Sequence, residues 1–167
     1  MDSKFVPGLA ISREKIIARH IADKGCMQPD LISFTADPAQ DVLSTSYRAI
    51  EILSNSRYNA TVPVTSDSDF GPAYWVAGVS APGKYTFKAT IYNATNTVPF
   101  DIQFEGVRAG SQATLTVLTS PDALGSNTLT NGVVTETVQK KVQTLKAGAG
   151  GRFAFELENY SIAVLTT

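Results

Sequence analysis

Lys84-Tyr85-Thr86-Phe87-Lys88-Ala89-Thr90-Ile91 decides the fold: Tyr85, Phe87, Ala89 and Ile91 occupy every second position, with Lys or Thr between them. Successive side chains of a strand point to opposite faces, so this stretch reads as a strand with one buried and one solvated side. The same period returns downstream. Val98, Phe100, Ile102 and Phe104 alternate with Asp101, Gln103 and Glu105, while Ala113, Leu115 and Val117 alternate with Gln112, Thr114 and Thr116. Phe153, Phe155 and Leu157 alternate with Arg152, Ala154 and Glu156, and the nearly continuous apolar run Ser161 to Leu165 suits a central strand. Turn signals separate these strands at Pro82-Gly83, Asn93 to Asn96, Gly106 to Gly110, Pro121 to Asn131 and Gly148 to Gly151.

Residues 133 to 145 fit two periods. Val134, Val138 and Val142 recur at helical spacing, and Glu136 with Lys140 would pair across one helical turn. The abundance of Val and Thr decides for a strand, and Lys140 and Lys141 suit an edge that must resist pairing with other chains. The fold class is therefore mainly β, an antiparallel β-sandwich whose first strand carries Trp75.

Upstream the pattern changes. Residues 1–26 read as an N-terminal segment in which Ser12 is expected to cap a helix carrying Ile16, Ile17 and Ile21, stopped at Gly25. Residues 27–57 read as a short strand, Leu31 to Phe34, a loop at 36–40, and a helix of about ten residues with Tyr47, Ile50 and Leu53 on one face. One strand and one helix of this kind cannot cover both faces of a parallel strand, so the unit is an orphan ahead of the sandwich at 58–167.

Composition excludes several functions. The 167 residues carry 14 Lys plus Arg against 15 Asp plus Glu, a net charge of -1 that offers no general attraction to nucleic acid or anionic lipid. One cysteine, Cys26, cannot form an internal disulfide, and with one histidine, His20, it cannot build the usual zinc sites of several thiolates or imidazoles. No cofactor or metal is expected. Charges interrupt Met1 to Lys24, so that stretch reads as neither membrane span nor signal peptide.

Chemistry-bearing clusters are sparse. Glu51, Glu105, Glu136, Glu156 and Glu158 fall on a helix, on polar strand faces or at strand ends, and none pairs with another in the manner a glycosidase requires. Ala147 to Gly151 is followed by a strand, so it reads as a connection with positive φ angles rather than a phosphate cradle. Asn59-Ala60-Thr61, Asn93-Ala94-Thr95 and Asn159-Tyr160-Ser161 fit the N-glycosylation pattern, which also arises by chance in a Thr- and Ser-rich chain. The cluster Phe70 to Trp75 allows two uses, a sugar-stacking platform through Tyr74 and Trp75 or an aromatic anchor buried between sheets. The catalytic set is therefore empty.

From Met27 to Thr167 the chain resembles the C-terminal region of fungal α-L-arabinofuranosidases of glycoside hydrolase family 51. The resemblance is carried by Gln28 to Phe34, Asp37-Pro38, Leu43 to Tyr47, Leu53 to Asn55, Phe70 to Gly78, Tyr85 to Ala89, Phe104 to Val107, Leu115 to Thr119 and Ser161 to Leu165. It implies a jelly-roll-like sandwich, with residues 27–57 as the last strand and helix of a truncated (β/α)8 barrel. It also implies retaining hydrolysis of terminal arabinofuranosyl groups from hemicellulose by two Glu residues on earlier barrel strands. Neither has a counterpart here, so the chain is expected to be an inactive accessory fragment of a secreted parent. Its expected partners are the parent's barrel domain, arabinose-containing polysaccharide, and other copies of itself through surface the barrel would cover. Two alternatives stand beside this reading: a free-standing carbohydrate-binding sandwich stacking sugars on Trp75, Tyr74 or Tyr58, and a module that docks onto a complete arabinofuranosidase.

Overall fold

The computed structural model describes residues 32–33, 41–130 and 133–167. The expected helix at 12–25, His20, Cys26, Leu31, Phe34 and the loop at 36–40 lie outside the described residues. The elements run β1 (Ile32–Ser33), β2 (Val42–Leu43), α1 (Thr45–Ser54), β3 (Ala60–Val62), β4 (Ala73–Ala81), β5 (Lys84–Ile91) and β6 (Val98–Gln103). They continue with β7 (Gln112–Thr119), β8 (Thr128–Thr130), β9 (Val133–Thr135), β10 (Gln139–Lys146), β11 (Arg152–Leu157) and β12 (Ser161–Thr166).

A six-stranded antiparallel sheet, ordered β10-β7-β12-β5-β4-β3, faces the two-stranded ladder β11-β6. The predicted alternation is what closes the space between them. Phe87, Ala89 and Ile91 of β5, Leu115 of β7 and Leu165 of β12 meet Phe153, Phe155 and Leu157 of β11 in one buried cluster. Fully burying one such large side chain contributes about 1.5–3 kcal/mol, so this layer dominates the stability. Aromatic rings bridge the two sheets: Tyr85 stacks on Phe104 at 5.0 Å between centroids, and Phe87 meets Phe100 edge-on at 5.9 Å.

β12 is central, between β7 and β5, as its continuous apolar run predicts. Ala163 and Leu165 enter the sandwich core, while Ile162 faces the other side, beneath α1. β10 is an edge strand carrying Lys140, Lys141 and Lys146, again as expected. Residues 133 to 145 do not form one strand, however. They split into β9, which among the described residues pairs with β8 in a separate two-stranded ladder, and β10, which joins the main sheet. β8 lies within the stretch read as a turn, and β3 adds a short edge strand absent from the sequence reading.

α1 has the predicted length, begins at Ser44, whose hydroxyl accepts from the Tyr47 N–H, and buries a different face from the one expected. Ala49 and Ile52 pack with Leu118, Val138 and the partly buried Leu53 and Ile162, whereas Ile50 is 40% exposed. A small residue at the contact lets the helix lie close to the sheet. Its flanks are tied by charge: Arg48 reaches Glu136 at 3.8 Å and Lys140 reaches Glu51 at 3.2 Å, so the two residues that would have paired in a helix serve between elements in the strand form. β1 pairs antiparallel with β2 in a two-stranded ladder ahead of α1.

Candidate functional site

The aromatic cluster lies where β4 begins. Trp75 is half-buried, packs against the sandwich core through β4, and has a ring face covered by Phe70 at 4.4 Å between centroids and 14° between planes. Phe70 is 64% exposed, so it, rather than Trp75, offers a ring to solvent. Tyr74 is also half-buried and lies 6.4 Å from Phe70. The structure thus gathers Tyr74 and Trp75 around Phe70, with Trp75 packed against the sandwich core beneath it. Phe70 is the residue that a search centred on Trp and Tyr passes over.

Tyr58 belongs to another place. Its ring rests on Gly78, where any Cβ would collide with it, and Lys88 Nζ lies 5.3 Å from its centroid. The same ammonium donates to the Leu53 carbonyl at 2.8 Å, near the C-terminal end of α1, where a cation is favoured. Tyr58 and Lys88 therefore fasten α1 to the sheet. Burial pushes the Lys88 ammonium below its ordinary value and the Tyr58 phenol above its own.

These shifts act on stability with opposite signs. In the interval between the lowered folded value of Lys88 and its unfolded value, the unfolded chain binds more protons, so this site's contribution rises with pH. For Tyr58 the folded chain keeps its proton longer, and the contribution falls once pH passes the ordinary phenol value. Urea midpoints followed across about pH 8 to 11 should show Lys88→Met losing stability more steeply than wild type, and Tyr58→Phe less steeply.

A shallow cleft of about 690 Å³ opens on the solvent side of β6 and β11, lined in part by Asp67, Asp101, Arg152 and Glu156. Arg152 and Asp101 form an ion pair at 2.7 Å and are each more than half exposed. Asp67 and Glu156 are exposed as well, so every carboxylate of this cleft stands open to solvent. Glu105, Glu136 and Glu158 are likewise exposed, and Glu51 is spent on Arg48 and Lys140. Among the described residues no group of three His, Cys, Asp or Glu could hold a metal ion, and no helix is long and apolar enough to cross a membrane. Gly150 and Gly151 take φ of 70° and 77°, the positive values expected of that connection, which makes a single 3-10 turn before β11.

Fold and surface together define a β-sandwich domain of unequal sheets, helix-backed on one side, with an aromatic corner and an open polar cleft. The chain belongs to the family described as the Alpha-L-arabinofuranosidase C-terminal domain, which matches residues 19–161. It is 39% identical over 138 residues to the probable alpha-L-arabinofuranosidase A of Aspergillus terreus, covering 83% of this chain and 20% of that protein. With alpha-L-arabinofuranosidase A of Aspergillus niger the identity is 40% over 139 residues, covering 82% and 20%. The chain thus spans about a fifth of the length of these relatives.

The fold is shared with the α-L-arabinofuranosidase of Thermotoga maritima, at a TM-score of 0.65 and 19% identity over 82% of this chain and 31% of that one. The arabinose-bound MgGH51 α-L-arabinofuranosidase gives the same TM-score of 0.65 at 23% identity, covering 87% and 22%.

Proposed function

We propose that this domain serves as the C-terminal accessory sandwich of a secreted family 51 arabinofuranosidase that removes terminal arabinofuranosyl groups from hemicellulose. In this reading the two catalytic glutamates belong to a barrel domain outside this chain, and the chain alone is inactive. The observation that carries it is the match of more than four-fifths of the chain to a fifth of the length of the fungal relatives. The cleft supports it, because Asp101 is held in an exposed ion pair with Arg152 and is not free to act with Glu156 as one of two flanking carboxyl groups.

The proposed organisation is an N-terminal segment at 1–26, a barrel-derived strand and helix at 27–57, and the sandwich at 58–167. The barrel partner would stabilise the sandwich by covering apolar surface on the α1 side, where Ile50 and Val142 are 40% and 59% exposed. Without that cover the same surface favours self-association. Arabinose-containing polysaccharide would meet the sandwich only as a bound surface, with Phe70 as the exposed ring.

The test is release of arabinose from a chromogenic α-L-arabinofuranoside by the purified chain. The expected rate equals that of a blank without protein. Release above the blank, retained through repeated purification, would overturn the reading.

A further inference from the structure

Three sequons look equivalent in the sequence, but the fold separates them. We propose that Asn93 is the principal N-glycan acceptor of this chain, with Asn59 secondary and Asn159 unmodified. The inference rests on the secretory reading above, since only a chain entering that pathway meets the donor.

Asn93 lies at φ 63° in the connection between β5 and β6, a left-handed conformation that Asn tolerates better than most residues. Its side chain and that of Thr95, the hydroxyl residue of the sequon, are exposed. The backbone around it is held from both sides: the Tyr92 N–H donates to the Pro72 carbonyl at 3.0 Å, and the Ala94 N–H donates to Asn159 Oδ1 at 3.2 Å. A sugar on Asn93 therefore projects into solvent from a fixed turn and breaks none of these bonds.

Asn159 is the opposite case. It is half-buried, and its Oδ1 also accepts from the Tyr160 N–H at 3.0 Å. The hydroxyl its sequon requires belongs to Ser161, which is 0% exposed on the central strand β12 and lies 3.0 Å from the Thr119 hydroxyl. Once β12 enters the sheet, that hydroxyl is out of reach. Asn59 is intermediate: it is exposed at the head of edge strand β3, but its Nδ2 donates to the Ser80 carbonyl at 2.8 Å. A glycosylated amide keeps one N–H, so this bond survives substitution while narrowing how the sugar can be oriented.

The transfer replaces one bond by another. Asn93 Nδ2 bonds to C1 of the first sugar of a lipid-pyrophosphate-linked oligosaccharide, the C1–O bond to pyrophosphate breaks, and the amide gives up one proton as lipid pyrophosphate departs. The glycan keeps the β5–β6 end of the sandwich open to solvent, which directs any partner domain to another face.

The experiment places the full chain behind a cleavable secretion signal in a yeast host and reads intact mass before and after endoglycosidase treatment, in medium and in the membrane-protected cell fraction. Wild type should lose mass on treatment. Asn93→Gln should lose most of that increment, as should Thr95→Ala, which removes the acceptor while leaving Asn93 in its turn. Glycopeptide mapping of wild type should find Asn159 bare. An unglycosylated wild type, an increment untouched by both Asn93→Gln and Thr95→Ala, or a glycan mapped to Asn159 in wild type would overturn the proposal. The imposed signal keeps this result separate from the secretory reading, which fails instead if the natural protein is found only in the cytosol.

Discussion

Replacing Phe153 by Ala should cost about 4 kcal/mol of folding stability, read as a lower urea midpoint with an unchanged slope. Phe153 is 0% exposed, is the first core-facing residue of β11, and faces Phe104 at 6.1 Å between centroids. Phe104 stacks on Tyr85 of the main sheet, so the cavity would open where the two-stranded layer is held to the six-stranded one. A domain of ordinary stability, about 5–15 kcal/mol, would be left near its threshold. Glu156, three residues on, lies on the solvent side of the same strand, and Glu156→Ala should change stability by no more than about 0.5 kcal/mol. Equal losses at the two positions would mean that β11 does not present the faces seen here.

That contrast between adjacent faces is the part of the fold most legible from sequence. β5, β7 and β11 each show enough alternating positions for period two to be recognised, and β12 is read from its lack of alternation. β3 and β8 are not legible because three residues carry no period: Ala60–Val62 exists by pairing with β4, and Thr128–Thr130 by pairing with β9. In α1 the sequence reading names the larger side chains Tyr47, Ile50 and Leu53 as the apolar face. The sheet instead buries Ala49 and Ile52, with Leu53 beside them, because Leu118, Val138 and Ile162 already fill the space and an alanine admits the helix backbone.

The aromatic corner was half legible for a related reason. Trp75 and Tyr74 stand in an alternating strand, which argues for burial, and both are indeed partly covered. Phe70 stands outside the ladder, after Ser66 to Asp69 and before Gly71-Pro72, where no strand partner can cover it. A large apolar residue in a polar loop was the signal available. The sequons differ only through long-range pairing: nothing in Asn159-Tyr160-Ser161 announces that Ser161 will be sealed between β7 and β5.

Asn127 joins the helix-bearing segment to the sandwich, and its loss should be the most damaging polar substitution in the domain. The side chain is 8% exposed and spends three hydrogen bonds, all about equally short: Nδ2 donates to the Leu43 carbonyl at 3.0 Å, and Oδ1 accepts from the N–H groups of Thr137 and Val138 at 3.0 Å each. Ala would strand one carbonyl and two amides at a site with little room for water. At about 1–3 kcal/mol for each buried group left unmet, offset by partial solvation, the expected loss is about 3 kcal/mol. Asn127→Asp separates the two sides of this hub, since a carboxylate still accepts from Thr137 and Val138 but cannot donate to Leu43. It should therefore retain the approach to β10 while freeing β2, and with it the entry to α1, which is further held by the Thr45 hydroxyl on the Gly125 carbonyl at 3.2 Å. Hydrogen exchange would show faster exchange in α1 for the Asp variant with β10 protected, and loss of protection in both for the Ala variant. Protection lost equally everywhere in the Asp variant would mean that α1 and the sandwich unfold as one unit, and that the segment at 27–57 has no stability separable from the domain it precedes.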